Sequence, residues 1–157
     1  MSFEFNADEI FEMAEQMERN GATFYRKAAE KITEPASHQM LLNLAAMEDA
    51  HEKTFASMRR LLSDKDKTPT AFDPNNESVQ YLKAFVETQV FFKKKTDFTS
   101  LEEVLKEAIV AEKDSIVFYL GMKDLIPERL GKEKLDGIIQ EEMRHIRYLG
   151  KELSTKK

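Results

Sequence analysis

The chain has 157 residues, of which 34% are charged and 41% apolar, with a formal net charge of −5 and no cysteine. This length and balance, with only 5 Gly and 4 Pro, predict one helical domain large enough to bury a core. Mild acidity with no basic block longer than Lys93-Lys94-Lys95 argues against nucleic acid as a partner. The lack of cysteine excludes disulfides, cysteine zinc sites and iron–sulfur clusters in these residues, and no apolar run approaches the roughly 18 residues of a membrane span. The acidic start lacks the apolar stretch of a signal peptide, so a cytoplasmic protein is expected.

A first helix is predicted over residues 6–33. Asn6-Ala-Asp-Glu9 reads as a capping box at its start. Its inward stripe runs Ile10, Ala14, Met17, Glu18, Gly21, Phe24, Tyr25, Ala28 and Ile32, in the steps of three and four that mark one helix face. Pro35 opens a second helix over 35–63, where a missing N–H costs nothing. Its stripe is Leu41, Leu44, Glu48, His51, Phe55, Met58 and Leu62, while His38 is expected to be an exposed helix-start residue. Residues 64–98 read as a long crossover. It begins with turn formers over 64–75 and carries a short helix around 77–94, whose Phe91 and Phe92 offer a face for a second subunit.

Thr99-Ser-Leu-Glu102 reads as a second capping box and opens a third helix over 99–126. Its stripe is Leu101, Val104, Leu105, Ala108, Ala111, Glu112, Ser115, Phe118, Tyr119 and Met122, and Pro127 stops it. A fourth helix over 128–154 begins between Glu128 and Lys132, with the stripe Leu135, Ile138, Glu142, His145, Leu149 and Leu153. The crossover decides the topology. A helix of 25 residues is roughly 38 Å long. A connection of this length is wasteful for a short turn but suits a return along the whole bundle, so helices two and three are expected to run parallel. The expected fold is all-α: two helix hairpins joined into one four-helix domain by a long crossover.

The two hairpins are versions of one unit. Shifting the chain by 94 residues puts Glu18 on Glu112, Phe24-Tyr25 on Phe118-Tyr119, Glu48 on Glu142 and His51 on His145. What repeats is acids and imidazoles at positions a helix should bury. Glu48-x-x-His51 and Glu142-x-x-His145 each aim a carboxylate and an imidazole at one point. With Glu18 and Glu112 they supply four carboxylates and two imidazoles, the ligand set of di-iron and di-manganese helical bundles. Four buried carboxylates would repel one another and take up protons, whereas two divalent cations neutralise them. Six ligands are too many for one tetrahedral zinc, and the mixed oxygen and nitrogen set suits iron or manganese. On this reading Glu48 and Glu142 bridge the two ions, and Glu18 with His51 and Glu112 with His145 are terminal ligands. Tyr25 and Tyr119, on the same face, are candidates to donate hydrogen bonds to carboxylates of the other repeat; a core tyrosine satisfied elsewhere is the alternative. Each histidine needs an acceptor for its other ring nitrogen, which the sequence does not name.

Glu18-x-x-Gly21-x-x-Phe24-Tyr25, Glu48-Asp-Ala-His51, Glu112-Lys-Asp-Ser-Ile-Val-Phe118-Tyr119 and Glu142-Met-Arg-His145 together resemble the rubrerythrin-like branch of the ferritin-like superfamily. The resemblance covers all four long helices. It implies a non-haem di-iron carboxylate protein whose two iron ions react with peroxide or dioxygen and draw electrons from an external donor. Two departures stand out: no rubredoxin-type iron centre is encoded here, and Ser115 occupies the place where the family has an extra glutamate. An iron-handling protein that oxidises ferrous iron without regular turnover is therefore a second expectation, and a partner-binding bundle with a relic site a third. A homodimer is expected from the apolar crossover.

Overall fold

The first three long helices begin where a side chain satisfies free N–H groups of the first turn. The computed structural model describes residues 6–67, 80–82, 84, 98–126 and 128–155. Helix α1 spans Ala7–Lys31, and Asn6 Oδ1 accepts the Glu9 N–H at 2.9 Å. Helix α2 spans Pro35–Arg60, with the Glu34 carboxylate accepting from the N–H groups of Ala36 and Ser37. Helix α3 spans Leu101–Lys123.

Here the expected cap moves by one residue. Ser100, not Thr99, is the N-cap and accepts from the Glu103 N–H, while Glu103 reaches back to the Thr99 N–H and hydroxyl. Both Thr99 and Ser100 have an acid three residues on, and the extended backbone of Ser100 (φ −154°, ψ 159°) decides between them. A 3₁₀ turn over Glu128–Leu130 and Gly131, at φ 99°, lead into helix α4, Lys132–Thr155. That φ is one glycine reaches without strain. Pro127, most of the expected crossover helix at 77–94, Phe91, Phe92 and Lys93 to Lys95 lie outside the described residues. His38 is half-buried rather than exposed: its Nδ1 lies 2.7 Å from the Ala29 carbonyl and 3.1 Å from that of Ile32. It thereby serves the carbonyls left open at the end of α1.

Cross-helix pairs fix the directions. Arg59 binds Asp8 while Arg26 binds Asp49, so α1 and α2 are antiparallel. Lys123 binds Asp136 from the end of α3 to the start of α4, and these two are antiparallel as well. Tyr25 meets Glu112 while Tyr119 meets Glu18, so α1 and α3 also oppose each other. It follows that α2 and α3 run parallel. The chain leaves α2 at one end of the bundle and enters α3 at the other, the topology the long connection predicts. The described part of that connection includes the helical residues 80–82, where Tyr81 donates to the Val117 carbonyl at 2.9 Å and Leu82 is fully buried. Tyr81 lies so close to Gly121 that a Cβ there would overlap its ring.

The apolar core falls into two clusters, one at each end of the bundle. One gathers Ile10, Phe11, Phe55, Met58, Phe118 and Leu135 with their neighbours, and the other Phe24, Leu41, Leu44, Leu105, Ala108 and Leu149. Among the described residues no helix is long and apolar enough to cross a membrane.

Candidate metal centre

Between the two clusters lies a buried polar layer. Glu18 comes from α1, Glu48 and His51 from α2, Glu112 from α3, and Glu142 and His145 from α4. All six are at most 4% exposed. They are buried because each occupies a step of its helix's inward stripe, so folding the apolar ends carries them inside. The two imidazoles lie nearly parallel, with ring centroids 6.0 Å apart.

The side chains form two groups. Glu18, Glu48, His51 and Glu142 offer ligand atoms all within 4.8 Å of one another, and so do Glu48, Glu112, Glu142 and His145. Glu48 and Glu142 belong to both groups. His51 turns Nδ1 inward, 2.7 Å from Glu142 and 3.4 Å from Glu18. His145 Nδ1 lies 3.4 Å from both Glu48 and Glu112. Gly21 leaves room for this layer, since a Cβ there would stand 3.1 Å from Glu48 Oε2.

The outer oxygens are held from the opposite repeat. The Tyr25 hydroxyl donates to Glu112 Oε1 at 2.5 Å, and the Tyr119 hydroxyl donates to Glu18 Oε1. Burial first, and then the neighbouring carboxylate charges, push both phenols well above their ordinary range, so they remain donors. Burial, followed by the charges of Glu48, Glu112 and Glu18, also pushes Glu142 well above the carboxylate range. Burial alone would raise Glu112 too, but the adjacent Glu142 and His145 and the Tyr25 hydroxyl hold it below its usual value. Burial opposes the charge of His51; the adjacent carboxylates of Glu18 and Glu141 outweigh it and raise the ring to about 9. Without cations, then, Glu142 and His51 both hold their protons to higher pH than the isolated groups would, which relieves the charge of the layer.

The inner atoms are left over. Glu18 Oε2, Glu112 Oε2, both oxygens of Glu142 and Nδ1 of both histidines are buried without a hydrogen-bond partner among the described residues. Buried polar atoms are normally satisfied, and six pointing into one space fit divalent cations. The residues therefore suit a pair of ions: four carboxylates and two imidazoles, with two carboxylates shared between the groups.

One residue at the site is not among those the sequence pattern marks. Glu141 Oε2 lies 2.5 Å from His51 Nε2 and is the acceptor this histidine needs. The two adjacent acids, Glu141 and Glu142, were the available signal. Ser115 sits one turn beyond Glu112, but its hydroxyl is spent on the Ala111 carbonyl at 3.1 Å.

A family model for rubrerythrin matches residues 9–153. A crystal structure described as that of a ferritin-like diiron-carboxylate protein from Thermotoga maritima superposes with a TM-score of 0.73. It is 25% identical, and the match covers 100% of both chains. No curated protein matches the chain.

Proposed function

This chain belongs to the rubrerythrin family, and from that premise we propose that it is a non-haem di-iron oxidoreductase that reduces peroxide or dioxygen with electrons from an external donor. The observation that carries the reading is the pair of four-residue ligand groups sharing Glu48 and Glu142 around inward atoms that lack other partners. Two iron ions, with manganese as the alternative, would be bridged by Glu48 and Glu142 and closed by Glu18 with His51 and by Glu112 with His145. Bound iron would supply the electrons that reduction of peroxide or dioxygen takes, which no side chain here provides.

The chain's own residues do the rest. The apolar clusters at both ends exclude water from the layer. Tyr25 and Tyr119 fix the terminal carboxylates by their outer oxygens, leaving the inner ones to bind. Protons held at Glu142 and His51 leave as cations enter. With no cysteine in the chain, electrons for turnover come from a separate donor. A homodimer in the cytoplasm is the setting we assign.

The turned-away hydroxyl of Ser115 favours a second reading, in which the centre oxidises ferrous iron and hands it on. One experiment separates the two. Ferrous iron is loaded anaerobically and peroxide added, with and without a reductase system. A diferric absorption band with sustained peroxide consumption supports the oxidoreductase. A band formed once, with no turnover, supports iron handling. No band and no peroxide consumed overturns both.

A further inference from the structure

The two Glu-x-x-His units are related by the 94-residue shift, yet they are not finished alike. On the His51 side a groove of about 390 Å³ runs between α2 and α4, and His51, Thr54, Ile138 and Glu141 contribute to its wall. On the His145 side the equivalent groove, about 590 Å³, is walled by the shifted counterparts Tyr148, Leu44 and Met47. Met47 therefore stands where Glu141 stands in the other half. Glu141 meets His51 Nε2 at 2.5 Å. His145 Nε2 is buried with no hydrogen-bond partner among the described residues, and His145 itself is fully buried.

This difference bears on cation binding, given the metal reading above. When Nδ1 lends its electron pair to a cation, the ring proton must sit on Nε2. Glu141 accepts that proton's hydrogen bond, orients the ring and makes Nδ1 a better donor. A thioether at Met47 is at most a weak acceptor. We propose that Glu141 makes the centre unequal: the Glu18/His51 half takes the first divalent cation, and the Glu112/His145 half takes the second, more weakly. Glu141 is a positioning residue, acting through His51.

The test is a titration of the metal-free full chain with cobalt(II), followed by calorimetry and paramagnetic NMR. Repulsion between ions weakens a second step in any two-ion site, so the location of the first ion decides. At one equivalent the spectrum is expected to show one shifted, slowly exchanging imidazole N–H, belonging to His51 and retained in His145→Gln. Glu141→Ala should weaken the first step by about 10–100-fold and speed exchange of that proton. Glu141→Gln, which keeps an acceptor but not the charge, should fall between. Met47→Glu should strengthen the second step and bring a second N–H signal. A first ion on His145, or a first constant within twofold of wild type in Glu141→Ala, overturns the proposal and leaves the metal centre standing. No cobalt binding at all overturns both. Should Glu141→Ala fail to fold, the wild-type location of the first ion and Met47→Glu decide alone.

Discussion

The middle of this bundle and its two ends are built on opposite rules. The ends are apolar, and Phe55, Phe118, Leu105 and Leu41 are stable there without help. The middle gathers four carboxylates and two imidazoles in the same depth of burial, an arrangement that is unfavourable unless protons or cations neutralise it. The contrast separates what makes the fold from what the fold is for: the ends hold the helices in register, and the register brings the six side chains together.

The largest effect should come from cations. Each ion bound at a thousandfold excess over its Kd adds roughly 4 kcal/mol, and for a domain of this size a pair should raise Tm by well over ~10 °C. In Glu142→Gln the rise should vanish, while the metal-free protein stays within about 1 kcal/mol of wild type, because the amide resembles the protonated acid. Calorimetric melts with and without manganese check both arms.

An end residue should behave the other way. Phe55→Ala removes a fully buried ring packed 5.1 Å from Tyr119. It should cost about 3–5 kcal/mol, by a similar amount with and without cations, as read from urea denaturation.

The pH dependence of the metal-free form belongs to the middle alone. His51 rises from 6.5 to about 9 on folding. Its contribution is fully present below pH 6.5 and is lost as pH rises through 9, an upper limit of roughly 3 kcal/mol. Metal affinity should move oppositely, strengthening with pH as protons are displaced. Melting curves from pH 6 to 10, compared with His51→Gln, test the sign.

Smaller effects follow. Tyr119→Phe deprives Glu18 of its donor. It should cost about 1–3 kcal/mol in the metal-free state and less once cations hold that carboxylate, a difference that paired urea curves would show. Ser100→Ala removes a cap far from the layer. It should cost about 1 kcal/mol and leave metal stoichiometry unchanged.

Much of this was legible in the sequence because the two regions write different signals. Apolar residues at helical steps located four helices, and acids standing on those same steps marked the layer, since a helix that buries its stripe must bury Glu48 with it. The long connection disclosed that α2 and α3 are parallel. Other features were hidden for physical reasons. Two overlapping capping patterns at Thr99 and Ser100 are equivalent until the backbone chooses. The stripe of α1 is wider than one face predicts, taking in Phe11, Met13, Ala22 and Ala29, because α1 packs against both α2 and α3. Glu141 lies beside a stripe position, and only folding shows that it reaches His51 across the groove. His38 looks like a surface residue until the end of α1 is brought against it.

The most direct test is anomalous diffraction from crystals prepared anaerobically with ferrous iron. Two peaks per chain are expected, about 3.5–4 Å apart, with Glu48 and Glu142 touching both, Glu18 and His51 at one, and Glu112 and His145 at the other. Peaks elsewhere, or an empty layer at saturating iron, would contradict it.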